Sequence, residues 1–426
     1  MNVHLRMLGC RLNQSEIDTL ARQFEAQGHR VTDTPEEAQH IVINTCAVTQ
    51  DAVKGGRKLI NDLHRANPNA EITVTGCHAQ IAPHEIAVLG GVRRVVGNAE
   101  KAGIVTQITG RAVEPFDVEP HERGKLPAMR TRAFVKVQDG CDNACTFCVT
   151  TIARGAGKSR PSDDIMNEIA YLYSIGYQEV VLTGVHLGSY GHDMGQADGL
   201  MRLVGRILSE TDVPRLRLSS LEPWDLSEGF FTLWDNPRLC PHLHLPLQSG
   251  CDATLKRMRR NTNQTAFRAL MRAARHIPDV KITSDVIVGF PGETEAEFAE
   301  SEAFIHEMAF DGLHVFRYSA RPDTPAARMR GQVPHDLRKA RSQRLIAYAS
   351  AQEARFASHY NGRTLPILWE HVQGATPEGF INVGYSHHYV RVQALHPRVL
   401  TNHITPATLH ATTDGITWAT PHLEGV

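Results

Sequence analysis

The sequence predicts an α/β protein in three parts: an amino-terminal open parallel-sheet α/β domain, a central partial (β/α)6 barrel and a small all-β barrel at the carboxyl end. Three observations carry that expectation. Strand and helix patterns alternate through the first hundred residues, the alternation resumes at Arg132, and after about residue 360 the pattern changes to short β-rich runs. The expected boundaries are 1–110, 127–357 and 361–426.

In the first part, Val3 to Leu8, Ile41 to Asn44, Ile72 to Thr75 and Val92 to Val96 read as strands. The first helix is expected to have Asn13 as N-cap with Glu16 at the capping-box position. Its apolar face is Ile17, Leu20, Ala21 and Phe24, and Gly28 ends it. Residues 111–130 carry three prolines and several acids with little apolar periodicity, which suits a linker. Beyond it Ala133 to Gln138, Glu179 to Thr183, Arg215 to Ser219, His242 to Leu247, Lys281 to Val288 and Gly312 to Tyr318 read as strands. Helical patterns follow, such as Ile165, Ile169 and Leu172, or Phe298, Ile305 and Met308. Six such units are too few for a closed eight-fold barrel but fit a partial one with its site at the strand carboxyl ends. A polar helix from Pro334 to about Tyr360 leads to short strands at Thr364 to Trp369, Phe380 to Val383 and Tyr389 to Val392.

A chain of 426 residues with 42% hydrophobic and 21% charged residues can bury sizeable cores. Its formal charge of -1 means that a nucleic-acid partner has to be held by local basic patches. Met1 to Gly9 reads as a strand and there is no run of about 18 apolar residues, so a cytoplasmic location without membrane attachment is expected. In that compartment the eight cysteines point to metal or redox chemistry rather than to disulfides.

Gly140-Cys141-Asp142-Asn143-Ala144-Cys145-Thr146-Phe147-Cys148 follows directly on a strand and puts three thiols in one loop. A four-iron cubane normally takes four cysteines, so three leave one iron open. Zinc is the alternative, but it usually wants four ligands, and no His or further Cys lies within a dozen residues of the loop. The spacing, with Phe147 before the last cysteine, resembles the motif of the radical S-adenosylmethionine (SAM) superfamily. That resemblance implies a 4Fe-4S cluster on Cys141, Cys145 and Cys148, with SAM on the open iron. The radical released from SAM attacks a C–H bond that no protein base can deprotonate.

Cys10, Cys46 and Cys77 each sit just past the end of an expected strand, on the edge where open parallel sheets bind ligands. Any one alone is more simply a small core residue. The segments Leu8-Gly9-Cys10-Arg11-Leu12-Asn13-Gln14, Asn44-Thr45-Cys46-Ala47-Val48-Thr49 and Thr75-Gly76-Cys77 resemble the amino-terminal domain of the radical SAM methylthiotransferases. This implies an enzyme in which a second 4Fe-4S cluster on Cys10, Cys46 and Cys77 delivers a methylated sulfur and two SAM molecules are consumed. The implied target is C2 of a modified adenosine beside the anticodon of tRNA, and an external electron donor and a sulfur source are needed. Leu182 to Gly191, His242 to Gly250 and Arg11 are most similar to the threonylcarbamoyladenosine (t6A) branch. The branches acting on isopentenyladenosine tRNA and on a ribosomal-protein aspartate share the cysteines. A reading of another class is a non-catalytic iron–sulfur RNA-binding protein.

Further positions resemble SAM-contacting motifs. Phe147, Thr183, Gly184, Ser220, Glu222, Gln248 and Gly289 are the candidates, although Thr183-Gly184-Val185-His186 stands where many superfamily members have Gly-Gly-Glu. Ser219 and Ser220 suit an N-cap equally well, and Val288 to Glu293 suits a turn. Cys251 reads as a helix-start residue and Cys240 as structural. For RNA, the candidates are Arg154, Lys158, Lys256, Arg257, Arg259 and Arg260 by charge, the run Arg328 to Arg344 reading rather as a solvated helix face. Val383 to Val392 resembles a TRAM domain, in which Tyr385, Tyr389 and Arg391 offer stacking and phosphate contacts. The tyrosines filling the small barrel's core is the alternative.

Overall fold

The computed structural model describes residues 1–113, 131–413 and 415–423. Most of the expected linker, residues 114–130, lies outside the described residues.

The first sheet consists of β1 (Asn2–Met7), β2 (Arg30–Val31), β3 (His40–Thr45), β4 (Glu71–Gly76) and β5 (Val92–Val95). Their spatial order is β2-β1-β3-β4-β5 and every pairing is parallel. Helices α1 (Arg11–Ala26), α2 (Gln50–Ala66), α3 (Cys77–Ile81), α4 (Pro83–Ala87) and α5 (Ile104–Thr109) supply the layers. Side chains alternate along a strand, so the sheet feeds two cores. Ile41, Ile43, Ile72 and Val74 pack on Ile60 and Leu63 of α2, while Val3, Leu5 and Val42 pack on Ile17, Leu20 and Phe24 of α1.

The capping box expected for α1 does not form. The helix starts earlier, with Cys10 at its N-cap, which puts Asn13 and Glu16 inside it and buries both. Asn13 Nδ2 instead donates to the Leu8 carbonyl at 2.7 Å and the Thr45 carbonyl at 3.3 Å, holding the first and third strand ends together. The two-residue strand β2 was not expected, being too short for an alternation to show.

The central part has β6 (Arg132–Lys136), β7 (Gln138–Asp139), α6 (Thr150–Arg154), β8 (Lys158–Ser159), α7 (Ser162–Ser174), β9 (Glu179–Thr183), α8 (Gly199–Glu210) and β10 (Arg215–Leu218). It continues with β11 (His242–His244), α9 (Asp252–Met258), α10 (Gln264–Ala274), β12 (Lys281–Val288), α11 (Glu295–Met308), β13 (Gly312–Arg317) and α12 (His335–Ser358). Two parallel sheets, β6-β9-β10 and β11-β12-β13, meet through single bridges at Leu216–Leu239 and Ser220–His244. The result is the expected open barrel, with β7 and β8 forming an antiparallel pair beside it. Val135, Val180, Leu216, Leu243, Ile282 and Val286 point outward to the helices, which leaves their strand neighbours facing the lumen.

The last part is a closed barrel of β14 (Thr364–Thr376), β15 (Gly379–Ser386), β16 (Arg391–His396), β17 (Ile404–Thr413) and β18 (Ile416–Pro421), in the order β14-β15-β16-β18-β17. Its core is Leu365, Ile367, Trp369, Val392, Ala394 and Leu409 with their neighbours. It covers the amino ends of the central strands. Arg215, first in β10, donates to the carbonyls of Tyr385 at 3.0 Å and Pro366 at 2.7 Å, and Arg217 donates to that of His387 at 3.1 Å. The opposite ends of the strands stay open for a site.

Candidate active site

The central cysteine loop is shaped by its neighbours. Gly140 has φ +69°, and a Cβ there would stand 1.9 Å from the Ala156 carbonyl oxygen, so the turn into Cys141 needs glycine. Cys141 N–H donates to Gly155 O at 3.0 Å and Asn143 N–H points to Cys141 Sγ at 3.4 Å. From the far side of the barrel, α9 holds the loop: Thr146 N–H donates to Met258 O at 3.0 Å and its hydroxyl donates to Arg257 O at 2.9 Å. Arg260 is buried, with Nη1 3.7 Å from Cys145 Sγ. Burial raises the Cys145 thiol above its ordinary value and Arg260 opposes that rise.

The SAM candidates do not all stay open. Glu222 is tied by both oxygens to Arg260, at 3.2 and 2.5 Å, and so steadies that guanidinium. The Gly289 N–H is given to Glu293 Oε1 at 3.0 Å, and Glu293 N–H closes a turn onto Phe290 O at 2.9 Å. Ser219 and Ser220 cap no helix, since the next 3₁₀ turn begins at Pro223 with Glu222 as its N-cap. Ser220 is exposed at the seam to His244. Gln248 takes φ 72°, with its N–H on Asp285 O at 2.8 Å. Thr183 ends β9 and is buried, Gly184 lies against Gln138, and Phe147 meets Phe290 edge-on at 6.4 Å.

Beside Cys141 lies a cavity of about 250 Å³ lined by Gln138, Asp142, Asn143, His186, Trp224 and Asp225 among others. His186 Nε2 meets Asp225 Oδ2 at 2.5 Å, and its Nδ1 is 3.3 Å from Asn143 Nδ2. Burial opposes its charge, but Asp225 and Cys141 push its pKa up to about 10. Sequence reasoning missed the His186–Asp225 pair, although its signal was the departure at Thr183-Gly184-Val185-His186.

The amino-terminal cysteines come together from three strand ends. Cys10 precedes α1 and is exposed, while Cys46 follows β3, Cys77 opens α3, and both are buried. Gly76 has φ +99°, and a Cβ there would stand 2.3 Å from Thr45 O. Burial, with Cys10 and Cys77 nearby, pushes the Cys46 thiol up to about 11. Burial also raises Cys77, against Arg154. Arg321 is buried too, its Nε and Nη1 meet no partner, and its charge acts on Cys46. Three thiols beside a cation with unanswered N–H groups suit an anionic iron–sulfur cluster. The Cys145–Arg260 contact makes the central set suitable in the same way.

The two sets border one small apolar cluster. Cys77 packs with Val149, the residue after Cys148, and with Ala153 of α6. Arg154 closes the seam: its side chain is 1% exposed and reaches Glu16 and Asp139 at 2.9 Å and Asn13 Oδ1 at 2.9 Å. That corrects its expected role, because a guanidinium so enclosed has no N–H for RNA. Two other basic residues turn inward likewise. Arg257 is fixed on Glu297 by two bonds of 2.8 Å, and Arg260 on Glu222. Lys158, Lys256, Arg259 and Arg391 are exposed. The helix face from Arg328 to Arg344 is only partly solvated, since Arg341 is buried against Glu293 at 2.6 Å.

The tyrosines are corrected as well. Tyr389, at φ 63°, stacks on Tyr385 with ring centres 4.9 Å apart and meets His242 at a tilt with centres 4.8 Å apart, and its Oη accepts from Arg132 Nη1 at 3.2 Å. The Arg132 guanidinium lies 5.0 Å over the Tyr385 ring. Both tyrosines thus join the small barrel to the central one and neither belongs to the small barrel's core. Cys240 is buried, and Cys251 precedes α9 with Sγ 3.2 Å from Glu300. No helix among the described residues is long and apolar enough to cross a membrane.

Residues 2–97 match the model of uncharacterized protein family UPF0004, and residues 135–305 that of the radical SAM superfamily. The chain is 38% identical to the threonylcarbamoyladenosine tRNA methylthiotransferase MtaB of Bacillus subtilis, over 92% of this chain and 89% of that one. It is 37% identical to the protein of that name from Thermotoga maritima, over 93% and 92%. It is also 33% identical to the tRNA-2-methylthio-N(6)-dimethylallyladenosine synthase of Staphylococcus haemolyticus, over 86% and 74%. Among solved structures, a radical SAM methyltransferase from Kitasatospora setae superposes with a TM-score of 0.57 at 17% identity, over 76% of this chain and 75% of that one, a likeness of fold alone.

Proposed function

The chain belongs to the radical SAM methylthiotransferase family, and from that membership we propose that it converts t6A to 2-methylthio-t6A at the adenosine 3′ of the anticodon in tRNA. The observation that carries the reading is the meeting of two cysteine triads across one seam, with Cys77 packed on the residue after Cys148. In this reading Cys141, Cys145 and Cys148 hold the cluster that binds SAM, and Cys10, Cys46 and Cys77 hold a second, with two SAM molecules used per turnover. When bound, these groups supply a radical that can take hydrogen from an unactivated carbon, and a sulfur to replace it.

The chain's own residues bind and orient. Arg260 fixes the Cys145 side of the loop, Asn143 and His186 fix the Cys141 side, and Arg154 and Arg321 balance the charge of the amino-terminal set. Phe147, Thr183, Gly184 and Gln248 are proposed around SAM. Lys158, Lys256, Arg259 and Arg391 are proposed for tRNA phosphates. Residues 1–110, 127–357 and 361–426 serve as the second-cluster, radical and TRAM-like parts. An external electron donor and a sulfur source are required, and the location is cytoplasmic.

The relatives named for dimethylallyladenosine support a second reading, in which the substrate carries an isopentenyl group. Anaerobic turnover of the reconstituted protein with t6A-bearing tRNA, followed by nucleoside mass spectrometry, separates the two. Appearance of 2-methylthio-t6A is expected. Product from isopentenyladenosine tRNA alone overturns the t6A reading, and no deoxyadenosine from SAM with either tRNA leaves a non-catalytic RNA-binding protein.

A further inference from the structure

The barrel is open along its last strand, and a polar group lines the lumen there. His244 of β11, Asp285 of β12 and His314 of β13 are lumen-facing, the alternate residues Leu243 and Val286 packing outward with Val315. Asp285 and His314 are register partners. His244 is fixed at both nitrogens, Nδ1 2.9 Å from Thr283 Oγ1 and Nε2 3.2 Å from Asp285 Oδ1. The His244 and His314 rings are 5.6 Å apart, and His314 is exposed. Two residues further along β13, Phe316 is 42% exposed, a large apolar ring facing open space.

Arg11 enters the same lumen from the amino-terminal part. It follows Cys10 directly, its Nη2 lies 3.4 Å from Tyr389 Oη, and the Tyr389 ring lies 4.8 Å from that of His242, two residues before His244 on the same strand face. Its charge acts on both His242 and His314. Among the described residues, no carboxylate forms an ion pair with Arg11. A half-buried guanidinium that forms no ion pair, held by Tyr389 and acting on the imidazoles of His242 and His314, is arranged for an incoming anion, and the Asp285 carboxylate across β12 for its hydroxyl or N–H donors.

We propose that Arg11 and His314, with the His244–Asp285 pair behind them, form the pocket that recognises the acidic substituent of the target adenosine, with Phe316 available to the base. This rests on the t6A reading and names the residues that would enforce it. A threonylcarbamoyl group ends in a carboxylate and a hydroxyl: the carboxylate accepts from Arg11 and His314, and the hydroxyl donates to Asp285. An isopentenyl group has neither, and would desolvate these polar groups without answering them, which is a strong basis for rejection.

The test measures binding of three anticodon stem–loops, carrying t6A, isopentenyladenosine or plain adenosine, to the reconstituted full-length protein by fluorescence anisotropy. Wild type is expected to prefer t6A. Arg11→Met and His314→Gln are each expected to weaken t6A binding by about tenfold or more, the scale of one hydrogen bond to a charged group, with plain adenosine unchanged. Arg11→Lys should recover part of the loss. Because His314 is exposed and lies outside the cores, His314→Gln keeps the test valid if Arg11→Met does not fold. A preference for t6A that persists in both variants overturns the pocket and leaves the proposed function standing, whereas a wild-type preference for isopentenyladenosine overturns both. The ligand atoms of His244, Asp285 and His314 lie within 4.8 Å of one another. Stoichiometric zinc in the wild type that is lost in His314→Gln would therefore make this a metal site and also overturn the proposal.

Discussion

The two cysteine triads have the same membership and opposite construction. Cys141, Cys145 and Cys148 lie within one loop after β6, whereas Cys10, Cys46 and Cys77 are brought together by three strand ends of a five-stranded sheet. A local triad depends on one turn and on α9 behind it, and a distributed one depends on the whole sheet. The largest expected effect follows from breaking each in turn. Cys145→Ala should abolish SAM cleavage and methylthiolation together. Cys46→Ala should abolish methylthiolation but leave deoxyadenosine formation, with iron falling from roughly eight to roughly four per chain, as two cubanes require. Iron unchanged in Cys46→Ala, measured after anaerobic reconstitution, would refute the second site.

A smaller effect tests the seam that joins them. Glu16 lies on α1 in the amino-terminal part and pairs with Lys101 at 2.5 Å, Arg154 at 2.9 Å and Lys136 at 3.2 Å. Burial alone would raise its carboxyl, but Lys101, Arg154 and Lys136 hold it well below its ordinary value of 4.5. Glu16→Gln should destabilise the chain by about 3–5 kcal/mol, because it leaves buried cations unpaired. The sign in pH follows from the lowered value. The stabilisation is complete above about 4.5 and is lost as the pH falls from there through the folded-state value, so the variant should show a flatter acid limb in denaturant melts between neutral pH and pH 3. An acid limb as steep as wild type would show that the three cations act elsewhere.

The same contrast explains what the sequence disclosed. A triad at short spacing is visible in one line of sequence, and so were the strands Glu179–Thr183 and Lys281–Val288, marked by the short β-branched and aliphatic runs Val180-Val181-Leu182 and Val286-Ile287-Val288. The distributed triad was visible only because each cysteine follows a strand end and so shares an edge with the others. What stayed hidden was direction. A basic side chain reads alike whether it meets solvent or a carboxylate distant in sequence, so Arg154 could not be told from Lys158 without Glu16 and Asp139 beside it. Tyr389 was hidden for the same reason, since its partners Arg132 and His242 belong to another part of the chain.

The run Lys256 to Arg260 allows the smallest of these effects to be measured. It borders the local triad, and it divides by direction: Arg257 and Arg260 turn in to Glu297 and Glu222, while Lys256 and Arg259 turn out to solvent. Lys256→Gln and Arg259→Gln should therefore weaken tRNA binding only a few-fold each. Each should reduce the slope of log affinity against log salt by about one, the signature of one lost phosphate contact. Cluster iron should be unchanged in both, because neither side chain supports the loop, whereas Arg260→Gln should lower iron retention by loosening Cys145 and Glu222 together. A wild-type salt slope in the double variant Lys256→Gln/Arg259→Gln would remove this face from the tRNA path and leave Lys158 and Arg391 to carry it.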